Sequence, residues 1–259
     1  MKPIKTAAAL LLGLVTGLLT GPAALASESA ESPYFRVDTG NLAGLQRGAR
    51  DFMSYCAGCH SLKYLRYNRV AQDLGISEEL LKTNLMFTTD KPGDVITSAM
   101  PKESADWLGA PPPDLSLTAR SRGPAWISDY LQSFYIDPKR PLGVNNTVLP
   151  NASMPHVLWE LQGLQTKVEH AAGGEGHDAK PAEHGAGGHE AKKFELVQPG
   201  KLSPEEYKKF VGDLTNFLVY AGEPSRNKRV STGWNVLIFL AIFFPIAYLL
   251  KKEYWKDVH

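Results

Sequence analysis

Hydrophobic positions recur at helical spacing through much of this 259-residue chain, between two uninterrupted apolar runs at its ends. Leu45, Ala49, Phe52 and Cys56 stand four, three and four residues apart, which predicts a helix running into Cys56. Met86 sits in a further apolar run that reads as helical, and Pro124 opens a segment in which Ile127, Tyr130, Leu131 and Phe134 keep one face apolar. The clearest helix starts at Ser203-Pro204-Glu205-Glu206, which supplies an N-cap, a proline at the first helical position and a capping-box acid. Tyr207, Phe210, Val211, Leu214, Phe217, Leu218 and Ala221 then line one face before Gly222. Alternation of apolar and polar residues never lasts more than a few positions, so the expected fold is all-α with long connecting loops.

The two terminal runs have no place in a soluble core. Lys2 and Lys5 precede the apolar stretch Ala7 to Leu19, and Ala24-Leu25-Ala26 presents small residues where a signal peptidase reads. Residues 1–26 therefore read as a cleavable secretory signal. Gly233 to Leu250, GWNVLIFLAIFFPIAYLL, is 18 residues without a charge, enough for one transmembrane helix over 233–250. Trp234, Tyr254 and Trp255 border it as interfacial rings, and Pro245 inside it reads as a tolerated kink. Basic residues flank the span on both sides, so the export signal sets the orientation. The expected plan is an exported domain over 27–232, a membrane helix, and a cytoplasmic tail over 251–259.

Composition narrows the function classes. With 28 Lys+Arg against 27 Asp+Glu, bulk charge argues against nucleic-acid binding, and two Cys cannot form a disulfide scaffold. Removal of residues 1–26 takes away two Lys and no acid, leaving 26 basic against 27 acidic side chains, a formal net of −1. From Glu169 to Lys193 the chain reads EHAAGGEGHDAKPAEHGAGGHEAKK, too poor in bulky apolar residues to bury itself, and reads as a flexible surface insertion. Its His170, His177, His184 and His189 are spaced seven, seven and five apart, which fits no fixed metal motif.

The most chemistry lies in Cys56-Ala57-Gly58-Cys59-His60. Two thiols three residues apart suit addition to the two vinyl groups of a haem, with the adjacent imidazole available to iron. A thioredoxin-like dithiol needs a strand before the motif and a helix after it, whereas the periodicity puts a helix before it. A structural zinc would need a second Cys pair. An electron-carrying haem also needs a sixth ligand, and Met favours ferrous iron. Met53 lies on the motif's own helix. Met100 and Met154 each precede a proline, and Met154 lies in the loop-like Pro150-Asn-Ala-Ser-Met-Pro-His156. On residue chemistry alone Met100 and Met154 are level, with His156 a third candidate.

These strings together resemble the cytochrome c1 family of the cytochrome bc1 complex, in a bacterial form. The resemblance rests on Leu45-Gln-Arg-Gly-Ala leading into Cys56-x-x-Cys59-His60-Ser-Leu-Lys-Tyr-Leu-Arg-Tyr-Asn, then Ala110-Pro-Pro-Pro-Asp114-Leu-Ser116 with Arg120, then Met154-Pro-His-Val-Leu-Trp-Glu160, and one C-terminal anchor. It implies a class I cytochrome c-like domain with one covalent haem c bound through Cys56 and Cys59. His60 and Met154 would be the axial ligands, because the family's methionine follows the PPDLS segment and Met100 precedes it. Arg120 matches an arginine that holds a haem propionate. The implied partners are cytochrome b, a Rieske iron-sulfur protein as donor and a soluble or tethered cytochrome c as acceptor, with the haem domain in the periplasm. The His-rich insertion departs from the family pattern. Acids near the haem edge, among Glu28, Glu31, Glu103, Asp106 and Asp114, would steer a basic partner. A tethered cytochrome of another complex, or a haem enzyme with an open sixth position, are the alternative readings.

Overall fold

The computed structural model describes residues 36–101, 103–168 and 194–257. The secretory signal at 1–26, Glu28, Glu31 and the insertion at 169–193 lie outside the described residues. The first helix, α1 (Leu42–Tyr55), is capped by Asn41, whose side chain accepts from the Gly44 amide. A strand β1 (Leu62–Arg66) leads into α2 (Tyr67–Leu74) and α3 (Glu78–Asn84), followed by β2 (Val95–Ile96), which pairs with β1. Short helices α4 (Ser104–Leu108) and α5 (Thr118–Ser121) precede α6 (Pro124–Gln132). Strands β3 (Phe134–Ile136) and β4 (Val144–Asn146) form a second antiparallel pair. The turn of helix α7 (Trp159–Gln162) runs into β5 (Gly163–Lys167), which pairs with β6 (Phe194–Pro199). Two long helices close the chain, α8 (Pro204–Gly222) and α9 (Arg226–Tyr254).

Among the described residues three two-stranded sheets thus stand where only helices and loops were expected, and the all-α reading is corrected to a mostly helical fold. Each strand is two to six residues long, too short for alternation to show in the sequence. Phe134 belongs to β3 and not to the preceding helix, which stops at Gln132. Met86 likewise falls two residues beyond the end of α3, in irregular chain. Strands β5 and β6 flank the insertion, so the low-complexity stretch joins the two strands of one sheet.

The core sits where α1 crosses α8. Gly48 is the point of closest approach: a Cβ there would stand 2.2 Å from the Asp213 carbonyl oxygen and 2.8 Å from Phe217 Cβ. One turn on, Phe52 meets Phe217 with ring centroids 5.7 Å apart. At the polar edge of the crossing, Arg47 grips Asp213 with both arms, Nε to Oδ2 at 2.7 Å and Nη2 to Oδ1 at 3.1 Å. Deeper in, the Tyr207 hydroxyl donates to the Leu131 carbonyl at 2.8 Å and ties α8 to α6. The expected capping box is present, with Ser203 and Glu206 bonded reciprocally.

Helix α9 has no buried residue and carries Pro245 inside it. Its 29 residues extend beyond the 18 expected from the uncharged run, because Arg226 to Thr232 and Lys251 to Tyr254 continue the same helix. Among the described residues it is the one helix long and apolar enough to cross a membrane. Only Glu223, Pro224 and Ser225 separate it from α8. The junction is held by Glu223 with Arg229 at 2.6 Å and by Asn227, whose Nδ2 donates to the Thr39 carbonyl at 3.1 Å.

Candidate haem-binding site

Helix α1 delivers the Cys-rich motif directly past its end, with Cys56 as its C-cap, in line with the helix that the periodicity predicts running into Cys56. Cys56 and Ala57 amides both donate to the Phe52 carbonyl, and the Cys59 and His60 amides both donate to the Cys56 carbonyl. The chain therefore coils tightly enough to put Cys56, Cys59 and His60 on successive faces of one turn. Cys56 is buried, and burial pushes its thiol up to about 12, with smaller contributions from Cys59 and Asp51. Burial raises the Cys59 thiol as well. A dithiol redox centre needs the opposite, a stabilised thiolate, so the electrostatics disfavour that use of the motif.

His60 is oriented from 53 residues away. Its Nδ1 lies 2.8 Å from the Pro113 carbonyl oxygen, which can only accept, so Nδ1 carries the proton and Nε2 of the neutral ring keeps a bare lone pair. Burial lowers the His60 pKa, against weaker upward pulls from the Pro113 carbonyl and the Asp114 charge, which keeps the ring neutral. This is the tautomer a metal ligand requires.

Pro113 is held in turn by a zipper between residues 61–64 and 113–116. The Leu115 amide donates to the Ser61 carbonyl at 2.9 Å. Asp114 accepts from the Lys63 amide at 2.9 Å and from the Ser116 amide at 2.9 Å, and the Ser116 hydroxyl accepts from the Tyr64 amide at 3.2 Å. The two sequence motifs are thus halves of one structure. Asp114 thus uses both carboxylate oxygens in this zipper while keeping its negative charge. None of these hydrogen bonds was legible in the sequence beforehand; the signal was the Pro-Pro-Pro-Asp-Leu-Ser string itself, whose rigid φ angles suit a segment that must present a carbonyl in a fixed direction.

Two methionine loops approach this unit. Ser61 Oγ accepts from the Ser98 amide at 2.8 Å, which brings the Met100 loop to the motif. Gly109, next to the Pro-rich segment, has Ser153 Oγ 3.5 Å from where its Cβ would stand, which brings the Met154 loop to the same region. Met154 packs on the hydrophobic core and Met100 does not. His156 is 6% exposed and stacks on Phe134, and burial lowers its pKa to about 4. Arg120 lies on α5, exposed, with its methylenes against Gly222 and its charge beside Glu223. Among the described residues no three His, Cys, Asp or Glu side chains gather into an ion site.

The donor set suits a covalently held haem: two neutral thiols on one turn, an imidazole with its far nitrogen locked, and a thioether on an irregular loop. Comparison with known proteins agrees. The family model described as "Cytochrome C1 family" matches residues 34–175 and 195–258. The chain belongs to the cytochrome c1 family. It is 50% identical over 251 residues to a cytochrome c1 of Allochromatium vinosum, covering 95% of this chain and 98% of that protein. It is 41% identical over 226 residues to the ammonia monooxygenase gamma subunit of Nitrosomonas europaea, covering 86% and 87%. It is 27% identical over 239 residues to a cytochrome c1 of Rhodospirillum rubrum, covering 83% and 81%. As a cytochrome c1 family member the chain carries a covalent c-type haem and serves as an electron-transfer subunit of the cytochrome bc1 complex. The family match breaks between 175 and 195, inside the stretch that reads as an insertion.

Proposed function

We propose that this chain accepts one electron from a Rieske iron-sulfur protein and passes it to a cytochrome c, while cytochrome b and the anchor α9 hold it in the complex. The observation that carries the reading is the His60 ring, fixed by Pro113 with its Nε2 free at the end of the C-x-x-C-H turn. In this reading Cys56 and Cys59 hold the haem by thioethers, and His60 and Met154 bind its iron. Bound haem supplies a one-electron couple at that iron. The chain's own task is to let the charge change with little rearrangement. The zipper at 61–64 and 113–116 holds His60 against rotation, and the core contact of Met154 supports its choice over Met100. Arg120, which forms no ion pair among the described residues, is proposed to meet a haem propionate.

The class I cytochrome c architecture is part of this proposal. It is supported by the motif-bearing helix α1 lying across α8, the last helix of the haem domain, at Gly48. So is the periplasmic placement of that domain, which rests on the signal-like N-terminus and the C-terminal anchor together. A second reading, a haem subunit of another membrane complex, is favoured by one observation, the 41% identity to a protein named as an ammonia monooxygenase subunit. Native purification with subunit identification and a reduced-minus-oxidised spectrum tests both. Co-purification with cytochrome b and a Rieske protein supports the first, and a different set of subunits supports the second.

A further inference from the structure

Met154 sits in irregular chain, yet an axial ligand must return to one place after every thermal excursion. Between Asn151 and His156, neither Ser153 nor Met154 takes part in a hydrogen bond among the described residues. The loop is pinned on both sides of them instead. Upstream, Asn151 adopts a positive φ of 63°, its amide donates to Asn145 Oδ1 at 2.8 Å, and its carbonyl accepts from Arg140 at 3.1 Å. Downstream, the His156 ring lies on Phe134 with centroids 4.9 Å apart and planes 5° apart. Asn145 belongs to β4 and Phe134 to β3, and these strands pair through Phe134 with Asn146 and Tyr135 with Asn145. Both pins are therefore driven into the same two-stranded sheet.

The downstream pin is built of stacked rings. Phe134 is 1% exposed and meets Tyr130 edge-on at 5.2 Å, and Tyr130 stacks on Trp126 at 5.1 Å. The run of rings thus passes from α6 through β3 to the Met154 loop. His156 Nε2 and Gln162 Oε1 are both buried and meet no hydrogen-bond partner of good geometry, although the Gly163 backbone and the Gln162 side chain lie near enough to favour the protonated ring. A buried polar ring that forgoes a hydrogen bond carries a desolvation penalty, which flat stacking on Phe134 must offset.

We infer that His156 is a positioning residue for Met154: its ring, stacked on Phe134, clamps the loop to the β3–β4 sheet and slows departure of the thioether. The inference rests on the reading of Met154 as the axial ligand. The clamp acts through ring shape, so a phenyl ring replaces it and an amide does not.

The test uses the ferric holoprotein in detergent and three readouts. These are the rate at which added cyanide displaces the axial thioether, the charge-transfer band at the red end, and hydrogen exchange of the amides from 151 to 157. His156→Ala and His156→Gln should speed displacement about tenfold, weaken the band and accelerate exchange, whereas His156→Phe should stay within about twofold of the parent protein. Phe134→Leu loosens the same pair from the other side and should act like His156→Ala with haem still attached. Parent-like displacement and exchange in haem-loaded His156→Ala or Phe134→Leu overturns the clamp. So does a His156→Phe variant as fast as His156→Ala. Met154→Leu is the separate check, since survival of the band there removes the axial reading itself and leaves no ligand to clamp.

Discussion

His60 Nδ1 donates to the Pro113 carbonyl at 2.8 Å, joining the end of α1 to a proline-rich segment 53 residues later. The bond decides which imidazole nitrogen is available, and Asp114 decides where the carbonyl points by binding the Lys63 and Ser116 amides. Asp114→Ala removes both acceptors and leaves the exposed Lys63 amide to water and the part-buried Ser116 amide without its partner. A loss of about 1–3 kcal/mol is expected in guanidinium unfolding of the haem domain, with the slope unchanged. Asp114→Asn keeps one acceptor oxygen and should lose less.

Haem attachment should require both thiols. Cys56→Ala or Cys59→Ala removes one of the two proposed thioethers and should sharply reduce haem staining on a denaturing gel. Full staining in both variants would contradict a c-type haem at this motif.

The α1–α8 crossing predicts opposite outcomes for two glycines. At Gly48 a methyl group would meet the Asp213 carbonyl at 2.2 Å, and backbone cannot move aside cheaply, so Gly48→Ala should destabilise by about 1–3 kcal/mol. Gly212, inside α8, has nothing within 4 Å of a built Cβ. Gly212→Ala should stabilise by about 0.5–1 kcal/mol through helix propensity alone. Thermal unfolding of the two variants side by side checks the pair.

These contacts show what the sequence can and cannot disclose. Helix α8 was readable to within a residue because its cap, first-turn proline and apolar stripe are all local signals. The end of α1 was readable for the same reason. The β5–β6 sheet was not, since its strands are separated by residues 168–193 and neither alternates long enough to register. The zipper was also hidden: the Pro113 string announces rigidity, but its partner at 61–64 is a matter of tertiary pairing. Met86 shows the converse error, an apolar position taken for helix where the chain has already left α3 and buries the side chain from a loop.

The capping box of α8 gives a pH dependence. Bonds from the Ser203 amide and hydroxyl lower the Glu206 pKa below its ordinary 4.5. A depressed acid stabilises the fold when ionised, so this contribution is complete above about pH 4.5 and is lost as the pH falls through the lower folded value. Glu206→Gln, which resembles the protonated acid, should therefore lower the thermal midpoint at pH 7 and converge on the parent protein towards pH 3, flattening part of the acid limb of the stability curve. Thermal midpoints from pH 7 down to pH 3 measure it, and an unchanged acid limb would contradict the box.

The anchor decides whether the haem domain works inside a complex or free of it. Because helix α9 starts at Arg226 and not at Gly233, the informative truncation ends at Ser225. It removes the apolar helix, the Glu223–Arg229 ion pair and the exposed Asn227–Thr39 bonds but leaves α8, its cap and the α1 crossing intact. The truncated protein should be exported, soluble and haem-loaded, and once reduced it should still pass electrons to an added cytochrome c, since the proposed docking uses the haem domain and not the apolar helix. Quinol-dependent reduction in membranes should fall, because the domain is no longer held at high local concentration beside its donor. Retention of the truncated form in membranes after signal cleavage and a high-salt wash would place the attachment in another segment and overturn the one-anchor arrangement.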